Sequence, residues 1–468
     1  MITFNDFEKN KSESYILDII NNFKGSQRYR DAITARDYYN GMNTEINRRL
    51  QLFRNSKGEK EIDIFVANNQ IANEYYKKIV MQENSYLLGN GPTLPDEIKD
   101  NFSRTFDQRF FEAGLSALID GVGWIYCSLD KNNKMMLSTW GGAEFIPLFD
   151  ERTGALMAGI RFWQIDINKP MYVELYEIDG KTTYISAEQK LEILEPKQNY
   201  IIKKDTIKAM DLVEITESGF GMLPIFPLYA NFQKVTTLTP ALKQKLDLWD
   251  IVMSDFGNNL EDSKDLYWVL TNYGGQDISE FLAEYKKYKI IQTDSEGSAE
   301  AKTIEVPWQA REVLLNALKK EIFQSAMALD TEELSGSNLT NVAIKSIMAN
   351  LDLKTDDFEI QALNTLYAIM ELYYSYFGGN IDELTIELKR RTIINDTEVV
   401  QLIYTMREDI DQRTALEKNP LISPEEIEEI LKRSEKEKSV FDLEQESTGP
   451  MAPKKEPDQE QKEDEAAE

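Results

Sequence analysis

Residues 246–262 read LDLWDIVMSDFGNNLED. With Leu242 ahead of them, they place Leu242, Leu246, Trp249, Met253, Phe256 and Leu260 at alternating steps of four and three. That spacing is a heptad seam, the mark of a helix that buries one stripe against a partner. It predicts a helix over 238–262 whose stripe packs within the chain or against a second copy. The texture then changes. Residues 263–304 are compact and mixed, with strand-like 266–270, helix-like 277–287 and strand-like 289–292. After Pro307 a second helix is expected over 310–329, with Leu314, Leu318, Ile322 and Ala326 on one stripe. Two long helices thus flank a small insert.

Working outward, residues 331–341 (TEELSGSNLTN) are polar and rich in Gly, Ser and Asn, the composition of a loop. A helix is expected over 342–377, with Ile344, Ile347, Leu351, Phe358, Ala362, Leu366, Ile369 and Tyr373 on its stripe. At ~1.5 Å per residue it spans roughly 54 Å. Gly378-Gly379 ends it, 384–388 (LTIEL) alternates like a strand, and 424–436 is acidic and helical. From about 440 the chain turns to Glu, Gln, Pro and Lys and reads as disordered. Residues 434–468 hold twelve acidic and five basic residues.

Upstream, residues 7–50 read as helical and polar-aromatic, with a stop at Asn40-Gly41. A second helix is expected over 68–88, with Ile71, Tyr75, Ile79 and Tyr86 near helical spacing, stopped by GNGP at 89–92. A third covers 106–119. From 121 to 228 aromatic and β-branched runs such as IRFWQI (160–165) and MYVELY (171–176), punctuated by Asp179-Gly180, predict an antiparallel β-rich region. The fold class is therefore α+β, in more than one packed region for 468 residues.

Composition excludes much chemistry. There is no histidine, hence no Ser–His–Asp triad and no imidazole ligand or base. The single cysteine, Cys127, cannot form an intrachain disulfide or a thiolate zinc site. In the strand-like run 124–129 it reads as a small buried apolar residue. No cofactor is expected. MITFNDFEKN lacks the features of a signal peptide, and no ~18-residue apolar run suggests a membrane span. The net charge of −28 is the reverse of a tight nucleic-acid binder.

The remaining motifs read blandly. Residues 154–159 (GALMAG) imitate the opening of a phosphate-binding loop, but Ile160 and Arg161 stand where Lys and Ser/Thr are required. A hairpin turn at Thr153-Gly154 is the better reading, and Gly219-Phe220-Gly221 is another turn. Glu261, Asp262 and Asp265, like Asp356-Asp357, read as solvated helix carboxylates rather than metal ligands. Lys77-Lys78 and Arg390-Arg391 are read as surface salt-bridge partners. Nothing among these residues demands catalysis.

Six stretches, in order, resemble the portal proteins of tailed double-stranded DNA phages, in the branch found in long-tailed phages of Gram-positive hosts. They are NNQIANEYYKKIV (68–80) running on to SYLLGN (85–90); IPLFD (146–150) with IRFW (160–163); GMLPIFPLYAN (221–231); LDLWDIVMSDFGNNLED (246–262); EVPWQAREVLLNALKKEIF (305–323); and NVAIKSIMANLDLK (341–354). Together they span about residues 30 to 390.

The resemblance implies a dodecameric ring of subunits with wing, stem, clip and crown. Residues 1–25 would be an N-terminal arm, and 26–237 the wing, joined by the strand near 384–388. Residues 238–262 and 305–330 would be stem helices packed through Leu242, Leu246, Trp249, Met253, Phe256 and Leu260. The clip would be 263–304, with Tyr267, Trp268 and Tyr273 as aromatic interface candidates. A tunnel loop, 331–341, would present Ser335, Gly336, Ser337 and Asn338 to the DNA. Residues 342–378 would form the long helix, 379–439 the returning strand and crown, and 440–468 a disordered acidic tail.

The implied role is structural, not enzymatic: a ring at the capsid vertex through which double-stranded DNA is packaged and ejected with weak contact. Its implied partners are the terminase large subunit, scaffolding and major capsid proteins, and a head–tail adaptor. The implied location is the virion, after synthesis in the host cytoplasm. Two other readings compete: an oligomeric capsid or tail-adaptor protein without a DNA channel, and a carboxylate-metal hydrolase.

Overall fold

In the computed structural model the described residues are 2–50, 52–54, 59–62, 67–166, 168–187, 190–207, 212–262, 267–271, 298–302, 308–334, 340–392, 395–406, 409–423, 426–434 and 436. The chain opens with α1 (Phe4–Lys9), α2 (Glu13–Lys24) and α3 (Gln27–Tyr39). Each starts on a hydroxyl cap, Thr3, Ser12 or Ser26, whose oxygen accepts an amide three residues on. The hairpin β1 (Leu52–Arg54) and β2 (Lys60–Ile62) follows. Then come α4 (Tyr75–Leu88), β3 (Pro92–Thr93), α5 (Asp96–Lys99) and α6 (Phe106–Asp120).

The β-rich region runs as expected. It comprises β4 (Val122–Leu129), β5 (Met135–Gly141), β6 (Phe145–Phe149), β7 (Leu156–Gln164), β8 (Met171–Glu177), β9 (Gly180–Ala187), β10 (Lys190–Gln198), β11 (Ile201–Ile207), β12 (Leu212–Ser218) and β13 (Ile225–Tyr229). These form a five-stranded sheet in the order β10-β9-β8-β7-β6, a three-stranded sheet β13-β4-β5, and the hairpin β11-β12. Gly154, at φ 69°, turns β6 into β7, so GALMAG is a hairpin and not a phosphate loop.

Next are α7 (Pro240–Asp262), β14 (Tyr267–Thr271), β15 (Ser298–Lys302), α8 (Trp308–Ser325), α9 (Asn341–Phe377), β16 (Glu387–Leu388), α10 (Asp396–Thr405) and α11 (Gln412–Glu417).

Three cores hold the main body. Helices α1 and α2 lay Phe7, Ile16, Ile19 and Ile20 on one face of the five-stranded sheet, against Ile160, Phe162, Val173 and Leu175. Trp124, Trp140, Phe145 and Tyr176 fill the space between the two sheets. The largest core joins α4, α6, α7, α8 and α9 to the back of β4 and β5, and takes in Cys127. That cysteine is fully buried, and burial pushes its thiol pKa up, as expected of an inert apolar residue. Gly123 lets β4 lie on α6, since a Cβ there would sit 2.1 Å from the Ala113 carbonyl oxygen. Arg36 on α3 grips buried Asp120 at the end of α6 with two bonds, of 2.9 and 2.6 Å.

The described residues within 340–346 and 395–436 group as a second unit. Within it the Asn341 amide donates to Glu398 at 2.6 Å, and the Asn395 amide donates to Asn341 at 2.7 Å.

Several boundaries differ from the reading above. The expected helix over 68–88 starts only at Tyr75, and 67–74 has no regular secondary structure. The helical reading of 7–50 ends at Tyr39, apart from one 3₁₀ turn at Ile46–Arg48. Of 384–388 only Glu387 and Leu388 are strand, paired with Thr93 and Pro92. The segments 277–287 and 289–292 lie outside the described residues, as does the tail from 437.

Candidate functional site

Helices α7 and α8 form an antiparallel pair, and the antiparallel strands β14 and β15 lie between them in sequence. Lys245 pairs with Glu321 at 3.1 Å, and further along α7 the guanidinium of Arg311 lies over the Phe256 ring. Near the main body the pair is sealed. Leu242, Leu246, Leu318 and Ile322 are buried, and Tyr75 meets Trp249 edge-on at 5.2 Å and Phe323 at 5.6 Å.

Toward the C-terminal end of α7 the seam opens. Met253 and Phe256 are half-buried, Leu260 is 48 % exposed and Val313 is 70 % exposed, with Leu314 and Trp308 also exposed. The six-residue stripe is therefore not one evenly buried seam: its first half is core, and its second half runs from half-buried Met253 and Phe256 to exposed Leu260.

The most deeply buried line on the far half of α7 is polar. Asp250, Ser254 and Asn258 recur every four residues and are all buried. Each accepts a backbone amide from the extended strip 69–73. Asn69 donates to Asn258 at 2.6 Å, Ile71 to Ser254 at 2.9 Å, and Asn73 to Asp250 at 2.9 Å. A helix rises ~6 Å over four residues and an extended chain advances ~6.6 Å over two, so the two repeats run nearly in step.

Asp250 also accepts from the side chains of Asn73 at 2.5 Å and Asn43 at 2.7 Å. Burial pushes its pKa up to about 6, against these donors, which pull it down. The signal for this ladder was in the quoted stretch, as Asp250, Ser254 and Asn258. Its counterpart, NQIAN at 69–73, was read as helix.

The start of the 331–341 loop is tethered. Gln82 donates to the Leu329 carbonyl at 3.1 Å and accepts the Leu329 amide at 2.8 Å. Lys319 pairs with Asp330 at 3.3 Å and Glu332 at 2.6 Å. Burial pulls the Lys319 pKa down, but these carboxylates outweigh it and leave it raised. Ser335, Gly336, Ser337, Asn338 and Tyr273 lie outside the described residues. Tyr267 and Trp268 fall on β14, opposite Lys302 and Ala301.

Arg390 is more than a surface partner. It holds Asp352 at 3.2 Å, Asp356 at 2.5 Å and Glu359, all on α9. Among the described residues there is no cluster of potential metal ligands, and no helix is long and apolar enough to cross a membrane.

A family model described as phage portal protein, SPP1 Gp6-like, matches residues 22–440. The chain belongs to that phage portal protein family. The portal protein of Clostridium phage phiCD119 is 26 % identical over 442 residues, covering 88 % of this chain and 94 % of that protein. The portal protein of Bacillus phage SPP1 is 24 % identical over 432 residues, covering 85 % and 82 %. All six portal-like stretches lie within the matched span. A portal protein is a structural component of the phage capsid vertex.

Proposed function

We propose that this chain assembles as a dodecameric ring at the capsid vertex, through which double-stranded DNA is packaged and later ejected. The observation that carries this reading is the half-open helix pair. Its exposed residues, Leu260, Trp308, Val313 and Leu314, offer an apolar surface of the kind a neighbouring subunit covers. A ring contact is heterologous and closes by rotation.

In this reading 26–237 with the 387–388 strand is the wing, and 238–262 with 305–330 the stem. The clip, 263–304, docks the terminase large subunit and then the head–tail adaptor, with Tyr267, Trp268 and Tyr273 at that interface. Residues 342–378 form the long helix, 379–439 supply the returning strand and the crown, and scaffolding and major capsid proteins surround the ring. Ser335, Gly336, Ser337 and Asn338 line the DNA path. The acidic composition supports weak contact, since each phosphate held tightly would oppose translocation.

Electron microscopy of the purified chain tests the proposal. Closed rings with a central hole wide enough for duplex DNA are expected, with twelve subunits in end views. Monomers, or closed oligomers without a channel, would overturn it.

A further inference from the structure

The N-terminal helical layer holds a cleft that the portal reading leaves unused. Ile19, Phe23, Ile146 and Pro147 form its apolar walls, and Asn22 and Arg28 stand at its polar edge, around a volume of about 450 Å³. That lies within the usual range of binding clefts, ~300–1,000 Å³. Arg28 decides its chemistry. It is partly buried, and no carboxylate among the described residues pairs with it. Of the two groups that favour its charge, Tyr229 is a phenol that burial keeps protonated, and Asp120 is already held by Arg36.

A guanidinium drawn partly out of water with no counter-ion costs free energy that an incoming carboxylate would offset. Burial accordingly pulls the Arg28 pKa below its usual value. A second concavity, about 730 Å³, follows the other flank of α2, past Leu17 and Asn21. Both are open to solvent on one side, a form that admits an extended chain rather than enclosing a small molecule.

We infer that this cleft binds an extended segment of a partner protein in which a large apolar residue and an Asp or Glu stand two positions apart, so that both side chains fall on one face of the segment. The apolar side chain fills the space between Phe23, Ile19 and Ile146, and the carboxylate pairs with Arg28. The inference does not rest on the ring, because the cleft lies within one chain.

The test uses the full-length protein and two pools of randomised eight-residue peptides, one fixed at its centre as Phe-x-Asp and the other as Phe-x-Asn, where x is any residue. The Phe-x-Asp pool should be retained about tenfold better, a factor appropriate to one charge-assisted contact. Arg28→Gln should erase that preference, and Asn22→Trp, which narrows the cleft from its exposed rim, should reduce capture of both pools. Melting curves check that both variants fold. Equal retention of the two pools, or a preference that survives Arg28→Gln, would overturn the inference. So would binding of decanoate with no capture of either pool, since the occupant would then be a small amphiphile.

Discussion

Asp250 shows how one residue ties three segments together. Its two oxygens receive the Asn73 amide, the Asn73 side chain and the Asn43 side chain. Asn43 cannot turn its amide over, because its own oxygen accepts from Tyr38, Glu45 and Ile46. Asp250→Asn therefore sets one NH₂ against another, and it should cost about 1–3 kcal/mol in urea unfolding. A protonated Asp250 keeps both oxygens as acceptors, so the acid form is tolerated. Its folded pKa, about 6 against an ordinary 3.8, means that near pH 5 the folded chain holds a proton the unfolded chain has released. The contribution of Asp250 to stability is full below about pH 4 and lost as pH rises toward 6. Urea midpoints compared with Asp250→Asn should show wild type alone losing that increment; a constant gap from pH 4 to 7 would refute it. The three residues stand in the opening stretch, but their burial was not legible, because Asp, Ser and Asn at four-residue spacing look like a solvated face. Cys127, by contrast, was legible from its strand context alone.

At the scale of elements, the helix pair divides into two halves that should respond differently to substitution. Leu246 is 1 % exposed in the main core, so Leu246→Ala should cost about 2–5 kcal/mol whatever the assembly state. Leu260 and Val313 are uncovered in the single chain. Replacing both with serine should change the stability of the unassembled chain by less than about 0.5 kcal/mol per site. In the ring reading the same double variant should assemble poorly, seen as a shift from rings to monomers in sedimentation. The heptad spacing announced a buried stripe but not where its partner changes, since spacing records periodicity and not the neighbour. The 68–88 error has a related cause. Ile71 and Tyr75 stand four apart as on a helix, yet Ile71 is 37 % exposed and its amide is held by Ser254. Sequence-distant side chains satisfied the backbone before a helix could.

For the whole molecule, the order of elements was more readable than any single site. Six portal-like stretches in sequence located the family, and the matched span 22–440 contains them all. Charge is the molecular property that bears most on DNA passage. The loop 331–341 has two acids and no basic residue in sequence, but Glu332 is held by Lys319 from α8 and is partly neutralised. In the ring reading, the negative charge that this loop would present to passing DNA is thus weaker than its composition suggests, and the small polar residues carry more of the proposed role. Ser337→Lys with Asn338→Lys should leave rings intact and slow or stall packaging, most at low salt where phosphate attraction is least screened. Packaging at the normal rate across salt concentrations would show that the loop does not line the path. What the sequence could not convey is Lys319 itself, which reaches the loop from another element.

The strip at 69–73 also has a consequence for solvent exchange. Asn69, Ile71 and Asn73 give their amide protons to α7, whereas the Gln70 and Ala72 amides find no acceptor among the described residues. In deuterium oxide the strip should therefore lose its protons in alternation, slow at odd positions and fast at even ones, with no sheet to account for the pattern. Asp250→Asn should speed the Asn73 proton first and the Asn69 proton last, as a zip opens from one end.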